Sequence, residues 1–186
     1  MKKTAVILLS GGLDSTTCIA IAKDQGFDII GLTINYGQKH IFELESAKSI
    51  ARYFNIKNHS IINIDLASFG GSSLTSTNMK VPKNRITADI NDIPSTYVPA
   101  RNTVFLSIAL ARAETINSFD IFIGVNALDY SGYPDCRPEF ISEFEKLANL
   151  ATKESIEKKG QYKIHTPLIH LKKSEIIQKG MELNVD

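Results

Sequence analysis

The segment Ser10-Gly11-Gly12-Leu13-Asp14-Ser15 sits between a short apolar run and the start of a helical pattern. Adjacent glycines let the main chain approach a ligand closely and adopt dihedrals closed to other residues. A helix that starts just beyond them points unpaired N–H groups and a partial positive charge outward. Ser10, Ser15, Thr16 and Thr17 add hydroxyl donors. The combination suits an anion of phosphate shape. The same spacing also suits a plain strand-to-helix turn, with Asp14 and Ser15 as helix-start residues. The loop has neither the lysine of a Walker A motif nor the GxGxxG spacing of a dinucleotide fold.

Other groups could serve the same chemistry. Arg101 and Asn102 follow Pro99 at a predicted helix N-terminus, where Arg101 could clamp phosphate bidentately or pair with a carboxylate or solvent. Lys172 and Lys173 open a later helix and could reach phosphate or form its exposed first turn. Gly124–Phe140 reads GVNALDYSGYPDCRPEF. Its Asn126, Asp129, Tyr130, Ser131, Tyr133, Asp135 and Arg137 offer donors, acceptors and aromatic faces for a planar heterocycle; the bland alternative is a surface connection. His40 lies near these segments, whereas His59 and His170 read as structural. Cys18 falls on an apolar helix face and reads as packing. Cys136 lies in the Gly124–Phe140 loop with no identifiable base beside it, so its position supports no covalent role.

Short continuous apolar runs at Ala5–Leu9, Ile29–Ile34, His59–Ile64 and Ile121–Val125, with a weaker one at Tyr162–Thr166, read as strands buried on both faces. Helical repeats lie between them. Leu13, Thr17, Ile21 and Cys18, Ala22 share a face, as do Leu44, Ala47, Ile50, Ala51 and Phe54. Arg101–Asn117 is apolar around most of its circumference and reads as a deeply buried helix. Pro138 opens another, with a stripe of Phe140, Ile141, Phe144, Leu147, Ala148 and Ala151, and a last helix covers Lys173–Met181. Strands alternating with helices predict a three-layer α/β/α, doubly wound parallel sheet of about five strands. In such sheets ligands sit outside the carboxyl ends of the strands, where the chemistry-bearing loops lie. The pattern lapses over Leu66–Pro99, a stretch long enough to be a functional or disordered loop.

The composition excludes several classes. The 186 residues, 43% apolar and 22% charged, suit one soluble domain, here residues 1–186. A net charge of +1 makes no electrostatic case for a nucleic-acid or membrane-surface partner. The opening MKKTAVILL has too short an apolar run for a signal peptide, and no stretch approaches the ~18 apolar residues of a membrane span. The expected compartment is the cytoplasm. Two cysteines make neither a disulfide framework nor a four-cysteine metal site.

The SGGLDS loop resembles the SGGxDS loop of the PP-loop ATP pyrophosphatases. That resemblance implies the adenine-nucleotide α-hydrolase-like fold and cleavage of ATP between its α and β phosphates. Together with Tyr36-Gly37-Gln38-Lys39-His40, Val98-Pro99-Ala100-Arg101-Asn102-Thr103, Gly124–Phe140 and Thr166–Ile177, it is similar to the 7-cyano-7-deazaguanine synthase family over essentially the whole chain. The resemblance implies ATP-dependent conversion of 7-carboxy-7-deazaguanine and ammonia to the nitrile, a queuosine precursor, with release of AMP and pyrophosphate. It implies nucleotide contacts along Leu9, Ser10, Gly11, Gly12, Leu13, Asp14, Ser15, Thr16, Thr17, Cys18 and Ile19, and at Tyr36, Gln38 and Arg101. Asp14, Ser15, Arg101 and Lys173 become the catalytic candidates, and Asn126, Asp129, Tyr130, Tyr133, Asp135 and Arg137 the heterocycle contacts. It further implies Mg²⁺ on the phosphates, with Asp14 as a ligand, small-molecule partners only and a homodimer. A zinc site of four cysteines near the C-terminus is also implied; the chain ends at Leu183-Asn184-Val185-Asp186, about where that tail is expected to begin. Alternatives are another PP-loop ATPase, thiolating tRNA or amidating, and a non-catalytic adenine-nucleotide sensor.

Overall fold

Runs such as Ala5–Leu9 place side chains on alternate sides of a pleated strand, so both sides must be covered. The computed structural model, which describes residues 3–38, 42–75, 93–128 and 133–185, meets that demand with one parallel sheet. Its strands are β1 (Thr4–Leu8), β2 (Asp28–Asn35), β3 (Asn58–Asn63), β4 (Asp120–Phe122) and β5 (Lys163–His165). They lie in the order β3-β2-β1-β4-β5, all parallel. The helices are α1 (Leu13–Asp24), α2 (Phe42–Tyr53), α3 (Arg101–Thr115), α4 (Pro138–Ala151), the single turn α5 (Lys153–Ile156) and α6 (Lys173–Glu182).

The alternation along β1 divides the core. Val6 and Leu8 join Leu106, Ala109, Ile141 and Phe144, and so pack under α3 and α4. Ala5, Ile7 and Leu9 join Ile19, Ala22, Ala47 and Ala51 beneath α1 and α2. Fully burying each large aliphatic side chain contributes about 1.5–3 kcal/mol, which fixes strand register because a one-residue slip would invert every side chain. Cys18 and Ile21 form a third cluster with Leu168 and Ile176, docking α6 onto the back of α1. The chain winds from β1 outward to β3, then returns to place β4 on the other side of β1. The winding therefore reverses between β1 and β4, and this switch point leaves a crevice beyond their carboxyl ends.

Two helices differ from the sequence reading. In α3 the buried side chains are Asn102, Leu106, Ala109, Leu110 and Ala113, while Val104, Phe105 and Ile108 are only half-buried. Its apolar circumference serves more than one surface: Leu106 and Ala109 are buried in the core, while Phe105, packed against that core, also lines the crevice. In α4 Ile141, Phe144 and Ala148 are buried, but Leu147 and Ala151 at the edge of the stripe are exposed. Strands β4 and β5 are shorter than the apolar runs that mark them; past β4 the Ile123 N–H still donates to His165 O at 3.0 Å, and Ile123, Gly124 and Val125 line the crevice. Among the described residues no helix is long and apolar enough to cross a membrane.

Candidate active site

The chain leaves β1 with the Leu9 N–H still donating to Leu32 O at 2.8 Å. It then turns at Gly11, whose φ is +87°. A Cβ there would lie 2.7 Å from both Ala47 N and Glu43 O of α2, so only glycine fits. Carbonyl oxygens are the groups that would repel a bound anion, and protein donors engage those of the turn. Ser46 Oγ donates to Gly11 O at 2.6 Å. Gly12 O accepts Ser15 Oγ at 3.0 Å, Thr16 Oγ1 at 2.8 Å and the Thr16 N–H at 3.1 Å. Ser10 Oγ donates in turn to Ser15 Oγ at 3.1 Å. The N–H groups of Leu13, Asp14 and Ser15 precede that first intrahelical bond, so the positive end of α1 faces the crevice. Gly124 lets the end of β4 press against this turn: a Cβ there would stand 3.0 Å from Asp14 C and Ser15 N.

The crevice is a cavity of about 590 Å³, within the range of small-molecule sites. One end is the turn just described. Ile34, Tyr36, Leu74, Phe105, Val125 and Tyr133 add apolar and aromatic surface to its lining. Lys173, at the start of α6, reaches across to Asp14 with Nζ 2.8 Å from Oδ1. This pair is partly exposed and therefore worth little to folding, about 0–1 kcal/mol. Arg101 enters the cavity behind Ala100, a non-glycine residue held at φ +53°. Backbone of this kind costs energy and persists where its surroundings enforce it. The Arg101 guanidinium lies 5.9 Å from the centroid of the Tyr36 ring, which meets Phe105 edge-on at 5.3 Å. Burial works against the Arg101 charge, but Tyr36, Asp135 and Cys136 outweigh it and raise the pKa further. Burial also raises Tyr36 and Asp135, the latter opposed by the Asn102 N–H and Arg101. The Cys136 thiol is pushed up to about 12 by burial and then by Asp135. A thiol so far from ionising is no nucleophile at neutral pH.

Of the residues singled out in the sequence, Leu9 through Ser15, Tyr36, Gln38, Arg101, Tyr133 and Lys173 line this cavity. Four do not. Thr16 directs its hydroxyl back to Gly12 O. Thr17 is fully buried and faces Gly180 of α6. Cys18 and Ile19 belong to core clusters. The reason is helical geometry: at about 100° per residue, a helix that presents its N-terminus to a ligand turns its second-turn side chains toward its packing partners.

The Gly124–Phe140 loop departs from expectation in the same way. Asn126 is fully buried; its Nδ2 donates to Leu168 O at 3.2 Å and to Leu171 O, and its Oδ1 accepts the Leu128 N–H at 2.8 Å. Asp135 Oδ2 accepts the Asn102 N–H at 2.8 Å. It thereby holds the start of α3, where a carboxylate also suits the helix dipole. Arg137 is exposed, immediately before α4. None of the three lines the cavity, whereas Tyr133 does, its hydroxyl 2.6 Å from Thr96 Oγ1. Asp129, Tyr130, Ser131, Lys39 and His40 lie outside the described residues. The sequence reading missed Thr33, Glu43, Ser46 and Phe105. Phe105, one turn after Arg101, could have been found from helical spacing; nothing local marks the other three.

Residues 4–186 match the profile of the queuosine biosynthesis protein QueC family. The chain belongs to that family. It is 60% identical to the 7-cyano-7-deazaguanine synthase of Syntrophotalea carbinolica over the whole of this chain and 80% of the relative. It is 62% identical to that of Citrifermentans bemidjiense, with the same coverage on both sides. Among solved structures, a predicted subunit of a tRNA methyltransferase from Methanocaldococcus jannaschii superposes with a TM-score of 0.61, at 18% identity, over 97% of this chain and 75% of that one. A likeness at that identity speaks for the fold alone. Family membership gives the cavity its chemical context: a phosphate-shaped turn and aromatic side chains lining one cavity in an enzyme that uses ATP.

Proposed function

We propose that this chain converts 7-carboxy-7-deazaguanine and ammonia to 7-cyano-7-deazaguanine at the expense of ATP. The observation that carries the reading is the placement of the Gly11–Ser15 turn and the Tyr36–Phe105–Tyr133 wall on one cavity, in a member of the QueC family. A carboxylate is a poor electrophile. Attack of its oxygen on the α-phosphate of ATP forms an acyl-adenylate and releases pyrophosphate; ammonia then displaces AMP to give the amide. A second ATP activates the amide oxygen and releases pyrophosphate; AMP then leaves with that oxygen, and loss of the remaining N–H protons gives the nitrile. Both activations ask the protein for alignment and charge neutralisation.

The turn amides of Leu13, Asp14 and Ser15 hold the leaving pyrophosphate, and the Arg101 guanidinium offsets charge at the α-phosphate. Lys173, paired with Asp14 in the free protein, turns to phosphate. Ammonia is itself the nucleophile, so no deprotonated cysteine is required. The Asp14 carboxylate, on the cavity wall beside the phosphate turn, suits Mg²⁺, which binds through one or two carboxylates and phosphate oxygens. When bound, that ion neutralises phosphate charge. The described residues do not fit the implied zinc: no group of three or more His, Cys, Asp or Glu side chains among them could hold a metal. Cys18 and Cys136 lie in separate core clusters. The reading carries with it small-molecule substrates without nucleic acid, a cytoplasmic site where ATP is supplied, and a homodimer by family likeness.

The test is incubation of the purified chain with ATP, ammonium and 7-carboxy-7-deazaguanine, followed by chromatography. Nitrile formation with AMP is the expected result. AMP release only with tRNA, or ATP binding without turnover, overturns the reading.

A further inference from the structure

Leu9 O, where the chain leaves β1 for the phosphate turn, is held by Thr33, and Thr33 is held in turn by His59. Thr33, on the neighbouring strand β2, is 2% exposed and lines the cavity, and its Oγ1 donates to Leu9 O at 2.7 Å. His59, on the edge strand β3, has Nε2 2.7 Å from the same Thr33 oxygen. A threonine hydroxyl has one proton. With that proton on Leu9 O, the contact to His59 requires Nε2–H to donate, which assigns the tautomer. The chain of donation therefore runs from His59 to Thr33 to Leu9. Burial, reinforced by Lys48, lowers the His59 pKa and agrees with a neutral ring.

The strand register makes room for this chain. His59 stands directly opposite Gly31. A Cβ on Gly31 would lie 3.1 Å from His59 Cδ2, closer than a side chain would tolerate without moving the ring. The missing side chain lets the imidazole lean along β2 toward Thr33, two residues further on. A histidine on a partly exposed edge strand would otherwise be expected to face water.

We propose that His59 and Thr33 are positioning residues for the phosphate turn, keeping the Leu9 carbonyl directed away from the anion that the turn binds. Neither touches the reacting atoms. A carbonyl released from Thr33 could swing its negative end toward the cradle, where it would oppose phosphate in the ground state and in the transition state alike. Loss of the relay should therefore weaken binding and leave the chemical step nearly unchanged. The proposal rests on the reading of the turn as a pyrophosphate site.

The experiment measures calorimetric binding of inorganic pyrophosphate and of ATP, together with KM for ATP and kcat, for the wild type and four variants. Thr33→Val keeps the shape and removes the donor, and should weaken pyrophosphate roughly tenfold, the scale of one lost hydrogen bond to a buried carbonyl. His59→Leu removes the second donor and should weaken it roughly threefold. His59→Gln, whose amide nitrogen can stand in for Nε2–H, should restore binding to within about twofold of wild type. Gly31→Ala, which displaces the ring, should behave as His59→Leu. In every variant KM for ATP should move with the binding constant while kcat stays within about twofold. Unchanged pyrophosphate binding in Thr33→Val, or His59→Gln no better than His59→Leu, overturns the relay. Failure of the wild type to bind pyrophosphate instead overturns the reading of the turn.

Discussion

The Leu9–Ser15 turn and the Gly124–Arg137 loop both stand at carboxyl ends of strands and both carry polar residues at tight turns, yet they use them differently. In the turn, the N–H groups of Leu13, Asp14 and Ser15 precede the first intrahelical bond, and the hydroxyls of Ser15, Thr16 and Ser46 tie carbonyls aside. In the loop, side chains that look like ligands hold protein backbone: Asn126 the Leu168–Leu171 segment, Asp135 the start of α3. A polar side chain in a site loop therefore identifies a ligand contact only when the main chain around it is already satisfied. Buried main-chain groups have the first claim on it, since leaving one unpaired costs about 1–3 kcal/mol.

The largest test of this contrast is Gly11→Ala. With φ at +87° and a Cβ 2.7 Å from two α2 backbone atoms, it should lower stability by about 2–3 kcal/mol and turnover by at least about 100-fold. Chemical denaturation beside an AMP-release assay reads both. A wild-type-like Gly11→Ala would remove the geometric basis of the cradle. Asp14→Asn comes next: turnover should fall roughly 100-fold, while the midpoint of thermal unfolding moves by only a few degrees, because its pair with Lys173 is partly exposed. Equal loss of both would place Asp14 among the structural residues.

Asn126→Ala should show the opposite pattern. It removes the donor to the buried Leu168 carbonyl and the partly buried Leu171 carbonyl and should cost about 2–3 kcal/mol of stability, while KM for ATP in the remaining folded protein changes less than about threefold. A selective rise in KM for the deazaguanine, without loss of stability, would return Asn126 to the substrate.

The smallest effect is in pH. The folded-state pKa of Asp135 is raised by burial. Between its ordinary value and that raised one the folded state holds the extra proton, so its contribution to stability is complete below the ordinary value and is lost as pH rises through the raised one. Denaturation of wild type against Asp135→Asn should show the wild type losing ground over that window and the difference levelling off above it. A difference that is flat with pH would deny the burial effect.

The sheet and the cradle were legible because their determinants are local. Runs such as Ala5–Leu9 give strands, and Gly11-Gly12 before a helical repeat gives the turn. Of the expected heterocycle contacts, Asp129 and Tyr130 lie outside the described residues, and Tyr133 lines the cavity. The roles of Thr17 and Asp135 were not legible for a different reason. A threonine in a helix, or an aspartate after a proline, is compatible with many partners until the chain is folded.

By itself the sequence determined the strand and helix periods, the single-sided chemistry at strand ends and the family, all of which depend on residues close together in the chain. Tertiary structure alone decided which polar atoms remain for a ligand. Ser46 reaches Gly11, Lys173 reaches Asp14 and Asn126 reaches Leu168 across separations of 35, 159 and 42 residues. Hydrogen-bond partners of that kind are assigned by packing, because burial and not sequence proximity makes an unpaired polar group costly.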